Sequence, residues 1–105
     1  MTRAAVEQWL AARQPLRPTS LELQMTRSIA ACAPGSIEAA PTMAAALGLV
    51  GVAVLDVVAA APSPSPELAM QLLAADAFVT YAFEAAAEEG VSVAPMVAQL
   101  LAEVA

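Results

Sequence analysis

The sequence predicts an all-α fold, a compact bundle of about five helices around a central apolar one, and three observations lead there. Hydrophobic residues make up 60% of the chain but aromatic ones only 4%. Alanine supplies the excess, and alanine is the strongest helix former while burying little area per side chain. Proline, glycine and serine divide the chain into segments of helical length, with apolar residues at three- and four-residue spacing inside them. No segment shows the apolar–polar alternation of a half-buried strand. At 105 residues the chain suits a single helical domain, residues 1–105.

Thr2 is placed to cap a first helix that runs to about Arg13, with Val6, Trp9 and Leu10 on one side. Pro15 and Pro18 break the chain. Thr19 and Glu22 have the spacing of a capping box, which predicts a second helix carrying Leu21, Met25, Ile29 and Cys32 on one face. Pro34-Gly35 stops it, and Ser36 opens a short turn to Ala40. Pro41 suits the first position of a third helix, where its missing N–H costs nothing. That helix reaches about Ala61 and is apolar nearly all round, interrupted only by Thr42 and Asp56. Such a helix is the centre of a bundle or a membrane span. The mild lipophilicity of alanine and glycine, the internal Asp56 and the lack of flanking basic residues favour the bundle.

Pro62-Ser63-Pro64-Ser65-Pro66 reads as a stiff connector, and Ser65-Pro66-Glu67 as a helix start. The fourth helix runs to about Glu89, before Gly90. Leu68, Leu72, Ala75, Val79 and Ala82 form its apolar stripe, and Asp76, Thr80, Glu84 and Glu88 a polar one. Helices three and four are expected to form an antiparallel hairpin. Ser92 and Pro95 start a last helix bearing Met96, Val97, Leu100, Leu101 and Val104.

Composition narrows the function. The net charge is −6, with four basic residues, Arg3, Arg13, Arg17 and Arg27. No dense basic face exists for nucleic acid or an anionic membrane surface. Histidine is absent and Cys32 is the lone cysteine, which rules out an internal disulfide, a Ser-His-Asp triad and histidine-activated thiol chemistry. A lone thiol fits a reducing cytoplasm. Glu7 and Gln8 stand where an export signal would place its apolar core, so a cytoplasmic protein is expected.

Asp56 invites a raised pKa as a carboxylate in an apolar helix, yet it lacks a catalytic partner, and a structural role is favoured. Asp76, Glu84 and Glu88 read as a solvated acidic face rather than a cation site, so neither metal nor cofactor is expected. Cys32, beside Met25 and Ile29, reads as core packing. Gly48 and Gly51, inside the apolar helix, allow close helix approach and form no phosphate loop.

The segment Leu72 to Glu84, LLAADAFVTYAFE, resembles a helix of the trans-polyprenyl diphosphate synthases, which often carry a stretch like L-A-G-D-A-L-L-T-x-A-F-E-L-L. Asp76, Ala77, Thr80, Ala82, Phe83 and Glu84 match, and Ala75 replaces the glycine. The family's aspartate-rich DDxxD motif is missing: Asp56-Val57-Val58-Ala59-Ala60 stands in its place. The basic diphosphate ligands and second aspartate motif are absent too. The resemblance, mainly over residues 67–90, covers about a fifth of the chain. Some members of that family are heterodimers with a small subunit lacking the catalytic motifs.

The resemblance thus implies a small accessory or regulatory subunit, a non-catalytic interaction protein whose contact residues are Leu72, Ala75, Phe78, Val79 and Phe83. The partner is another protein or a second copy, as a homo- or heterodimer. Two alternatives stand beside it: a bundle holding an apolar ligand between Met25, Met43, Met70 and Met96, and a Mg²⁺-dependent enzyme using Asp56, Asp76 and Glu84.

Overall fold

The computed structural model describes residues 1–104, with side chains as far as Ala102. Five helices follow one another: α1 (Arg3–Ala11), α2 (Thr19–Ala31), α3 (Met43–Ala60), α4 (Pro66–Glu89) and α5 (Ala94–Val104), with no strand among the described residues. The radius of gyration is 13.0 Å, the value of about 13 Å that a close-packed chain of this length adopts.

Three of the expected starts form as read. The Thr2 hydroxyl accepts from the Ala5 N–H at 3.0 Å and that of Ser65 from Leu68 N–H at 3.1 Å, with Pro66 in the first turn of α4. Before α5, the Ser92 hydroxyl accepts from the Ala94 N–H. Gly90 ends α4 in the left-handed region (φ 68°), its N–H returning to the Ala86 carbonyl, a geometry that favours glycine because it has no Cβ.

Two starts differ. The capping box at Thr19 does not form: Pro18 is the N-cap, Thr19 is already helical, and the Glu22 N–H donates to the Pro18 carbonyl at 3.0 Å. With a helical backbone at Thr19, its hydroxyl is no longer aimed at the orphan donors of the first turn. Pro41 lies outside α3, because Thr42 caps it by accepting from the Ala45 N–H at 3.1 Å. The start of α3 is reinforced across the bundle. Glu89, at the far end of α4, accepts from the N–H groups of Met43 at 3.0 Å and Ala44 at 2.9 Å. A carboxylate here satisfies two orphan donors and meets the positive end of the α3 dipole. It also makes α3 and α4 the expected antiparallel hairpin.

α3 is the central apolar helix, with Ala46, Leu47 and Val50 fully buried. It has the length and mean hydropathy of a membrane span, and half of it is buried inside the protein. The face that α4 turns inward is Ala74, Ala75, Phe78, Ala82, Ala85 and Ala86. Of the expected stripe, Ala75 and Ala82 are buried and Leu68 and Val79 half-buried, whereas Leu72 is 50% exposed. The cause lies on α3. A Cβ on Gly51 would stand 3.2 Å from Val79 Cγ2, 3.3 Å from Phe78 Cβ and 3.6 Å from the Ala75 carbonyl oxygen. At that separation the seam admits alanine methyls and one phenyl ring, and a row of leucines has no room.

α5 packs against Gly48, whose Cβ would meet Met96 Sδ at 3.1 Å. No described residue of α5 is fully buried: Met96, Val97 and Leu100 are half-covered and Leu101 is exposed. The Val104 side chain lies outside the described residues.

The two glycines therefore respond to alanine with opposite signs. Either substitution gains roughly 1 kcal/mol of helix propensity. At Gly48 the obstacle is a flexible thioether, so Gly48→Ala is expected to be neutral or about 1 kcal/mol more stable. At Gly51 the obstacles are anchored to the α4 backbone, and overpacking costs about 1–3 kcal/mol. Gly51→Ala is therefore expected to lower the urea midpoint. A rise in that midpoint would show that the α3–α4 seam yields.

Candidate functional site

With no lysine or histidine, the four arginines decide the polar architecture. Three of them bind the protein to itself. Arg3, at the start of α1, donates from Nη1 to the Ile29 carbonyl at 2.6 Å and from Nη2 to those of Cys32 at 3.1 Å and Ala33 at 2.9 Å. Its Nε pairs with Glu38 at 3.2 Å. Arg13 pairs with Glu88 of α4 and lies 3.7 Å over the Trp9 ring. Trp9 in turn meets Tyr81 edge-on, with centroids 5.9 Å apart. Arg17, in the connector that holds the cis Gln14–Pro15 peptide, has a side chain only 6% exposed. It donates to the Leu10 carbonyl at 2.9 Å and the Tyr81 hydroxyl at 3.0 Å, and lies 3.7 Å from Glu22. Periodicity does not reveal these roles, because each partner is brought in from another element.

Arg27 differs. It is exposed and forms no ion pair or side-chain hydrogen bond among the described residues. It stands on a groove of about 380 Å³ between α2, the second half of α3 and the first turns of α4. α2 and its C-cap contribute Gln24, Arg27, Ser28, Ala31 and Cys32; α3 contributes Ala53, Val54 and Val57; α4 contributes Glu67 and Gln71. Its size falls within the roughly 300–1,000 Å³ of small-molecule sites. Sequence reading missed it, because its walls are assembled from three helices and no one segment carries a motif.

Of the four methionines expected to line a ligand pocket, Met25 and Met43 belong to the hydrophobic core cluster, with Met96 packed against it. Met25 and Met43 are buried in the core, Met70 is half-buried on α4, and Met96 rests at Gly48. Met25 borders a cavity of about 60 Å³ beside Leu10 and Arg17. The five contact residues also divide. Ala75 and Phe78 are within 1% of full burial in the chain's own core, so a partner cannot reach them, which corrects that expectation. Leu72 and Phe83 are exposed and Val79 is half-buried between them and α3.

Asp56, Asp76 and Glu84 are all exposed, and no group of three metal-binding side chains comes together among the described residues. Asp76 and Glu84, eight residues apart on one helix, lie roughly 12 Å from one another at 1.5 Å per residue. That exceeds what one cation with oxygen bonds of about 2.0–2.6 Å spans.

Cys32 is buried, and its thiol donates to the Ser28 carbonyl at 3.4 Å. Burial pushes the thiol up from its ordinary value, against a smaller opposing pull from Arg3. It is therefore a protonated, weakly nucleophilic packing group at neutral pH.

Two surface carboxylates are shifted down: Glu38 first by its own backbone N–H and then by Arg3, and Glu88 by the hydrogen bond from Arg13. A carboxylate lowered in the folded state stabilises above its unfolded value and loses that contribution as pH falls through its folded value. The urea midpoint is thus expected to fall as pH drops below the ordinary carboxylate value of 4.5. Glu88→Gln should flatten that dependence; an unchanged slope would dissociate Glu88 from acid stability.

No family model, curated protein or solved structure matches the chain. The residues and their geometry carry the functional reading.

Proposed function

We propose that this protein is a non-catalytic helical interaction module that engages another protein, or a second copy of itself, through the outward face of α4. The supporting observation is the exposure of Leu72 and Phe83, 50% and 39%, on a helix whose inner face is already filled by α3. Residues 72, 79 and 83 fall within about 40° of one another at 100° per residue. Leu72, Val79 and Phe83 thus form one ridge, with Asp76 and Thr80 beside it. Large apolar side chains aligned on one exposed face are the usual mark of a protein contact.

The most concrete form of this reading is an accessory subunit of a polyprenyl diphosphate synthase, in keeping with the resemblance of residues 72–84. In that form α4 lies against the partner's apolar helices and the chain acts in the cytoplasm, with α3 serving as a core helix.

The test is co-expression with a long-chain prenyl diphosphate synthase together with the solution mass of the protein alone. A stable hetero-complex or a homodimer is expected, lost in Leu72→Glu/Phe83→Glu. Both side chains point away from the core, so thermal stability should hold. A monomeric protein that fails to co-purify with the synthase would sink the accessory-subunit form and the self-association form together.

A further inference from the structure

The groove between α2, α3 and α4 lies on the other side of α4 from the Leu72–Phe83 ridge. Glu67 and Gln71 are turned by roughly 100–140° from Leu72 around the helix axis. It therefore stands independently of the proposed protein contact. Its apolar lining from α3 includes the buried Val54 and the 54%-exposed Val57, and its charged and amide side chains come from two other helices. One wall, on α2, carries Gln24 and Arg27; the other, on α4, carries Glu67 and Gln71. None of these four side chains makes a hydrogen bond or ion pair within the described residues, and Arg27 and Glu67 do not pair with each other. Arg3, Arg13 and Arg17, in contrast, are each committed to internal partners.

We propose that this groove binds a small apolar zwitterion, of the class of a branched-chain amino acid or a short apolar peptide. The carboxylate is held by Arg27 and Gln24, the ammonium by Glu67 and Gln71, and the aliphatic body rests on Val54 and Val57. The sign pattern selects this class. A simple anion gains from Arg27 but is repelled by Glu67, and a simple cation meets the reverse. A ligand carrying both charges satisfies both walls, and a guanidinium suits a carboxylate because it donates two parallel hydrogen bonds.

Titration of the full-length ¹⁵N-labelled protein, followed by amide chemical shifts, tests the assignment. The probes are leucine and leucylalanine, with 4-methylpentanoate and 3-methylbutylamine as analogues carrying one charge each. At least one zwitterion is expected to saturate, with shifts confined to α2, the second half of α3 and the start of α4. Which of the two saturates separates an amino-acid ligand from a peptide ligand. Each single-charge analogue should bind about tenfold more weakly or worse, as should the zwitterion to Arg27→Gln or Glu67→Gln. Because neither side chain has an internal partner, both variants should retain the parent melting temperature. The assignment is overturned by no saturable shift with either zwitterion, by equal binding of 4-methylpentanoate, or by undiminished binding in either variant.

Discussion

Phe78→Ala is expected to cost about 3–5 kcal/mol, the range for deleting a buried phenyl ring whose surroundings collapse only partly. Phe78 is the largest fully buried side chain among the described residues. The ring has few substitutes nearby, because the rest of the inner face of α4 is alanine. Alanines on stiff helices cannot reach into the space a ring leaves, so the cavity should persist. Domains of this size have about 5–15 kcal/mol of total stability, so the variant would keep only part of it. At about 4–8 °C per kcal/mol, the melting temperature should fall by on the order of 15–30 °C. The measurement is urea denaturation followed by circular dichroism, with the midpoint falling and the slope unchanged. A loss below about 1 kcal/mol would mean that the seam closes behind the ring, contrary to the packing around Gly51.

Arg3→Ala comes next, at about 2–4 kcal/mol. Hydrogen bonds to a charged group contribute about 1.5–3 kcal/mol each when buried. Arg3 makes three of them, to the Ile29, Cys32 and Ala33 carbonyls. Two of these bonds are partly buried and the one to Ala33 is exposed, so water recovers some of the loss in the variant and the sum does not apply in full. The Glu38 pair adds little, because exposed ion pairs contribute about 0–1 kcal/mol. Arg3→Lys separates charge from geometry. A lysine keeps the positive charge at the negative end of α2, a term of about 0.3–1 kcal/mol. It lacks the planar fork that reaches three carbonyls, so it should restore less than half of the loss. Full rescue by lysine would reduce the role of Arg3 to a charge near a helix end.

These two variants probe different glues. Phe78 joins α3 to α4 by volume, whereas Arg3 joins α1 to the end of α2 by direction. Arg13 and Arg17 repeat the second device toward α4, through Glu88 and Tyr81. A chain with so few aromatic residues and so much alanine gains little area per contact, and directional hydrogen bonds from arginine compensate where helices meet loosely. The same commitment of three arginines leaves Arg27 distinctive, and that distinction is visible only once the other three have been placed.

Sequence reading was strongest where a signal is local. Thr2 and Ser65 accept from N–H groups three residues on, Gly90 donates its own N–H to the Ala86 carbonyl, and the apolar run of α3 needs no partner to identify it. It failed where the outcome depends on a neighbour. Thr19 and Pro41 each have good local credentials for a helix start, but in the fold the first turn begins at a different residue. Leu72 has the right spacing for the core of α4, yet Gly51 draws the helices so close that alanines occupy the inner face and Leu72 turns outward.

From residue order alone follow the helical class, the number of helices, their approximate limits and the poverty of catalytic groups, because propensity, capping and punctuation act over a turn or two of chain. Tertiary structure decided which face of α4 is inside, which arginine is unspent, and that α2, α3 and α4 enclose a groove. Those outcomes depend on distances between elements far apart in the chain, and such distances are set by packing the whole molecule at once.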